Sequence, residues 1–156
     1  LIPEDVYRSI NGGVDMLIAR NSFFKYLFLF FFGGFAYGAV ENLSRGYSHI
    51  SMFIAGGICF ILIGLLNDRR KKISLIGRMA ISAIIITTVE FIVGLIVNIW
   101  LKLDVWDYSH MPLNLMGQIC PLYSIFWFFI SFAAILMDAY IRRHLLKEEG
   151  SRLQPP

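Results

Sequence analysis

A chain of 156 residues that is 57% hydrophobic and only 16% charged carries more apolar surface than a water-soluble domain of that size can hide, because small folds keep much of their surface at the boundary with solvent. A mean hydropathy of +0.65 makes lipid that solvent. The net charge of +3 is what basic loops facing anionic headgroups produce, so it points to a bilayer as partner and not to nucleic acid.

Residues 1–22 form a peripheral cytoplasmic segment. Val6, Ile10, Val14 and Leu17 recur at helical spacing behind Pro3-Glu4-Asp5, as in a short amphipathic helix on the inner membrane surface; Gly12-Gly13 in its middle suits a flexible stub equally well. The stretch is polar and mixed in charge, unlike a signal peptide, and a start at Leu1 without an initiator Met reads as a trimmed or tagged chain.

A transmembrane domain follows over residues 23–138. A membrane-crossing helix needs about 20 mostly apolar residues. Four segments reach that length, at about 23–42, 50–66, 73–100 and 113–137. The predicted fold is an all-α, integral membrane four-helix bundle, closed by a basic, solvated tail over 139–156 that ends in Pro-Pro. Lys and Arg fix the orientation, since basic segments stay in the cytoplasm. Twelve of the fourteen cations lie in the N-terminal segment, around the Asn67–Lys72 loop or in the tail; only Arg45 and Lys102 lie opposite. Both termini are thus expected inside a cell membrane, with residues 43–49 and 101–111 facing outward.

Within the spans, Gly34 and Gly38 form a small-xxx-small pair, and Gly56, Gly57 and Gly64 thin the second helix for close approach. The run Phe28, Phe30, Phe31 and Phe32, interleaved with Leu27 and Leu29, reads as lipid-facing surface. Cys59 and Cys120 fall in apolar runs as packing thiols. Neither a C-x-x-C nor an H-E-x-x-H spacing occurs, so no metal or cofactor is expected.

An offset of 61 sets Tyr47-Ser48-His49 on Tyr108-Ser109-His110 and Gly56, Ile58 and Cys59 on Gly117, Ile119 and Cys120, with six of thirteen positions identical. This predicts two hairpins related by a pseudo-twofold axis along the membrane normal, as in parallel-repeat transporters.

Ionisable groups inside a span are costly and are candidates for function by default. Glu90 lies near the middle of the third span, with Thr87, Gly94 and Asn98 on the same face, a polar stripe that must turn toward protein or a water-filled cavity. Glu41 and Arg45, four residues apart, can pair on one helix face, with His49 and Ser51 close by. In the second outer segment Trp100, Trp106 and Tyr108 suit interfacial anchors, while Asp107, His110, Asn114 and Gln118 suit a site, Asn114 and Gln118 one helical turn apart. The ligand-binding set is therefore Glu41, Arg45, His49, Ser51, Glu90, Asn98, Asp107, His110, Asn114 and Gln118, enclosing a polar pocket near the extracytoplasmic face with Glu90 as its floor. Arg45 is the expected cationic partner of Glu90.

The stretch Tyr37-Gly38-Ala39-Val40-Glu41-Asn42-Leu43-Ser44-Arg45-Gly46-Tyr47-Ser48-His49-Ile50-Ser51-Met52, together with Val89-Glu90-Phe91, Gly94, Trp106-Asp107-Tyr108-Ser109, Pro112, Asn114 and Gly117-Gln118-Ile119, resembles the bacterial type IV ABC-transporter permease family over about residues 28–132. The resemblance implies transport of a small solute, an ion or a lipid-like ligand, with an ATPase as partner. Four spans are few for a complete path, so it also implies a homo-oligomer or further membrane subunits. Two other functions fit the residues. One is a membrane-embedded enzyme acting on a lipid-linked substrate, with His49 or His110 carrying a proton beside Glu41, Glu90 or Asp107. The other is a non-catalytic subunit that docks through its Gly-rich faces.

Overall fold

The computed structural model of the protein describes residues 22–68 and 73–146. Four helices make up the fold: α1 Ser22–Arg45, α2 Ile50–Asp68, α3 Leu75–Gly94 and α4 Pro121–His144, with α3 running on into a π-helical segment, Leu95–Trp100. Each span is long and apolar enough to cross a membrane, so the all-α membrane bundle predicted from hydropathy is the observed one. The expected N-terminal surface helix, the basic loop 69–72 and the end of the tail lie outside the described residues.

Local chemistry sets the ends. Gly46, at φ 79°, ends α1 in the left-handed conformation open to glycine, its N–H returning to the Asn42 carbonyl at 2.9 Å. Ser74 caps α3 by accepting from the Gly77 N–H at 3.2 Å. The helices alternate in direction. Asn67 at the end of α2 bonds to Arg78 early in α3 and to Asp138 late in α4, whereas Arg45 at the end of α1 reaches the Val105 carbonyl beyond α3.

α1 lies along α2 where side chains are missing. A Cβ on Gly33 would strike Phe60, one on Gly56 would strike Tyr37, and one on Gly34 would come within 2.7 Å of the Phe53 ring. Gly38 faces open space apart from Ser48 Oγ at 3.7 Å, so the close approach centres on Gly33 and Gly34 and not on the predicted Gly34/Gly38 pair. Only part of the phenylalanine run faces outward. Phe28 and Phe31 are exposed, but Leu29 is buried, and Phe30 and Phe32 pack on Phe53 and Phe60 with ring centroids 6.0 and 5.2 Å apart. The main core, where α2, α3 and α4 meet, contains Cys59, Ile63, Met79, Ile86, Trp127 and Ile135. Both cysteines are buried free thiols.

The fourth span begins at Pro121, not near Leu113 as hydropathy suggested. Proline has no N–H and forces its predecessor out of the helical region, and Cys120 is accordingly extended at φ −149°, ψ 158°. The other end also moves: α4 runs to His144, and Arg142, expected in a solvated tail, is 2% exposed. It is buried because its Nε donates to Asp138 Oδ1 at 2.8 Å, one turn earlier on the same helix. The matched triads sit in different local structures. Residues 56–59 are helical in α2, whereas Gly117–Cys120 form a turn before α4.

Candidate functional site

Residues 101–120 fold into a compact cap held from below by the last turns of α3. The π-helical turn closes with Leu101 N–H on the Ile96 carbonyl at 2.9 Å, and within it Asn98 is buried and fully engaged. Its Oδ1 accepts from Val105 N–H at 2.7 Å, and its Nδ2 donates to the Trp106 carbonyl at 3.0 Å and to Gln118 Oε1 at 2.8 Å. π-Helical turns recur at functional sites because the widened turn re-aims side chains. The Trp106 indole N–H donates to the Gln118 carbonyl at 3.0 Å, and Tyr108 N–H to the Gly117 carbonyl at 2.7 Å. Gly94 admits this arrangement, since a Cβ there would lie 2.5 Å from Gln118 Oε1. Lys102, Asp104, Leu113 and Met116 all adopt positive φ between 48° and 57°, which concentrates backbone strain in the cap.

The cap reaches into the bundle. Glu90 lies ten residues before Trp100, about 15 Å deeper at about 1.5 Å per residue, and is 3% exposed. Its two oxygens are held by different elements: Tyr108 OH from the cap donates to Oε1 at 3.1 Å, and Trp127 Nε1 from α4 donates to Oε2 at 2.8 Å. Trp127 is only six residues into α4, whereas α3 and its π-helical extension run ten residues past Glu90, so α4 begins lower than α3 ends and the cap fills the difference. Non-helical backbone at such depth is tolerated when protein buries it, and Val105, Trp106, Gln118 and Cys120 are all buried.

The remaining predicted residues divide into two groups. Arg45 is ion-paired with buried Glu41, whose other oxygen accepts from Ser48 Oγ at 2.7 Å, and Arg45 Nη1 and Tyr47 OH donate to the Val105 carbonyl at 3.4 and 3.3 Å. The segments 43–49 and 101–111 therefore meet, and in place of the expected polar pocket Met52, Val97, Val105 and Trp106 fill the space between them with an apolar cluster. Arg45 makes no ion pair with Glu90; its guanidinium is taken by Glu41, and Glu90 is satisfied by uncharged donors. His49 and Ser51 bond to one another, Nδ1 to Oγ at 2.8 Å, at the start of α2. Asp107 accepts from Ser109 N–H and Oγ at 2.8 and 2.7 Å, and these bonds hold its carboxyl below the usual range. Asn114 braces the cap turn through Ser109, Met111 and Gly117 and does not align with Gln118, because residues 113–120 are not helical. His110 is exposed on the same turn. Among the described residues neither histidine bonds to a carboxylate. Of the three expected interfacial aromatics, Trp100 is exposed, whereas Trp106 is buried and Tyr108 reaches Glu90.

Sequence reasoning missed a second buried polar cluster at the basic end. Asp138 and Arg142 form an ion pair there, Asn67 Nδ2 donates to Asp138 Oδ2 at 2.9 Å, and Arg78 donates to Asn67 Oδ1. Asp138 and Arg142, spaced i,i+4 like Glu41 and Arg45, were the available signal. Gly64 makes room for the pair: a Cβ there would lie 2.6 Å from Asp138 Oδ1 and from Arg142 Nη2.

The family model described as "Putative ABC-transporter type IV" matches residues 28–152, which takes in all four helices, the cap and Glu90. The chain belongs to this family. Membership and four apolar helices together make this ABC-transporter family member a multi-pass, transport-related membrane protein. No curated protein and no solved structure matches it.

Proposed function

We propose that this chain is a permease-like membrane subunit in which Glu90 binds a small cationic solute or ion and the cap over residues 101–120 closes the site from the extracytoplasmic side. One observation carries the reading: Glu90 is a buried carboxyl group at mid-span whose hydrogen-bond partners are both uncharged, one on the cap and one on α4. A buried carboxylate without a cation is costly, and a ligand cation removes that cost. Release of Tyr108 would free one oxygen for the ligand while Trp127 keeps the other in place. Gln118 and Asn98 latch the cap, Glu41 and Arg45 tie the α1 end to it, and Asp107, His110 and Asn114 shape its outer turn. Both termini are assigned to the cytoplasm from the cation distribution. A complete path needs further copies or subunits, and the family implies an ATPase among them.

The test is the melting temperature of the purified protein in lipid nanodiscs, titrated with alkali cations, ammonium and small primary amines. Stabilisation by a member of this series that Glu90→Gln abolishes, with the variant folded, supports the reading. A variant that responds as the wild type does, or a wild type that responds to no member, contradicts it.

A further inference from the structure

Among the described carboxylates within the helices, Glu90 is distinguished by its neighbours. Glu41 is ion-paired with Arg45 and Asp138 with Arg142, whereas Glu90 has no ion pair. The Arg45 guanidinium is taken by Glu41, and both hydrogen bonds to Glu90 come from uncharged donors, so an ionised Glu90 would have no countercharge among the described residues. Lys102, the other cation beyond the cap end of α1, is exposed on the cap.

Aromatic rings surround this charge. Trp127, which donates to Glu90, stacks on Tyr37 of α1 with centroids 5.5 Å apart and planes at 29°. Tyr108, the other donor, stacks on Tyr123 at 4.5 Å. Tyr37 is positioned by the absence of a side chain at Gly56, where a Cβ would strike it. Its hydroxyl has no hydrogen-bond partner among the described residues.

The Tyr37–Trp127 pair also walls an apolar cleft of about 310 Å³ between α1 and α4, floored by α2. Beyond these two rings its lining is apolar, with Phe60, Ile63, Ile130 and Met137 among small residues. A cation over an aromatic face gains from the ring quadrupole, most where water is excluded. Here the indole N–H points to a carboxylate, which increases the electron density the cation meets. A hydrophilic ion has no use for the aliphatic end of this cleft, and a neutral lipid tail has none for the charge behind it.

We propose that the ligand is an amphiphilic organic ammonium cation that enters from the lipid through the α1–α4 cleft, its head on the Tyr37–Trp127 rings before Glu90 and its apolar body along α2 and α4. This rests on the reading of Glu90 as the ligand carboxylate, and it names the substrate class.

The test is equilibrium binding of radiolabelled octyltrimethylammonium to the protein in nanodiscs, with empty nanodiscs subtracted and with the uncharged tert-butyl isostere as competitor. Saturable binding that the isostere does not compete away, and that falls about tenfold in Tyr37→Leu, is expected, since a desolvated cation–π contact of about 1 to 2 kcal/mol corresponds to about that factor. Tyr37→Leu leaves both Glu90 hydrogen bonds in place, so it is informative even if Glu90→Gln folds poorly. Binding that the isostere matches, or that is unchanged in both variants, is apolar partition and overturns the inference. If small cations stabilise the protein through Glu90 but the ammonium probe does not bind, the amphiphile assignment fails and the Glu90 site stands; if neither binds, both fail.

Discussion

Two buried carboxyl groups in this bundle have opposite surroundings. Asp138, at the basic end, faces an arginine one turn away and an asparagine from α2, and Gly64 gives the pair room. Glu90, at mid-span, is held by a tyrosine and a tryptophan and has no ion pair among the described residues. A charge compensated within the fold joins three helices and is satisfied by doing so. A carboxylate held by neutral donors, one of them on a strained cap, is placed to exchange a protein partner for a ligand. Burial alone does not separate these roles, since both groups are almost fully enclosed.

The contrast predicts the largest loss at the compensated site. Asp138→Ala removes the carboxylate beside buried Arg142 and should cost about 3 to 5 kcal/mol, seen as loss of folded protein on extraction and a lowered melting temperature; Asp138→Leu with Arg142→Met should recover most of it. A double variant as unstable as the single one would show that the pair is more than a compensated charge. Next comes the latch. Gln118→Leu strips Asn98 Nδ2 of one acceptor and should destabilise by about 1 to 3 kcal/mol, with faster amide exchange across residues 101–120 and little change near Asp138. Uniform exchange throughout the bundle would mean that the cap and bundle open as one unit.

Tyr108→Phe removes a single donor to Glu90 and should cost about 1 kcal/mol or somewhat more while increasing labelling of the native buried Cys120 by a water-soluble thiol reagent. Unchanged labelling would separate Tyr108 from cap closure. The smallest effect belongs to exposed Asp107. Its carboxyl is held low by Ser109, so Ser109→Ala should return it toward the ordinary range in an NMR titration. The sign follows from linkage: a folded-state value below the unfolded one gives stability that is present above the unfolded value and lost as pH falls through the folded one.

Much of this was legible in the sequence. Hydropathy located four spans, and three of their starts fall within a few residues of the helices, because lipid forces backbone groups to pair within each segment. Glu90 and Asn98 stood out as polar groups on one face, and both are buried. The fourth span was placed too early because Leu113, Leu115, Met116, Ile119 and Cys120 extend the apolar run ahead of α4; Pro112, Gly117 and Pro121 marked that stretch as non-helical and outweigh hydropathy. That error carried Asn114 and Gln118 onto one imagined helix face and left Trp106 among the surface anchors. Arg45 was assigned to Glu90 on reach alone, yet Glu41 is one turn away on its own helix and a local partner needs no helix packing to be found. The basic-end cluster was missed because Asp138 and Arg142 read as the edge of a solvated tail; only the packing of α2 against α4 shows them to be interior.

The central claim, that Glu90 and not Asp138 is the group a ligand meets, is tested most directly by infrared difference spectroscopy of the protein in lipid as a stabilising cation is added. The account predicts a carboxyl band change that is present in the wild type and in the Asp138→Asn variant and absent in Glu90→Gln. A band that survives Glu90→Gln, or one that disappears in Asp138→Asn while that variant remains folded, would contradict it.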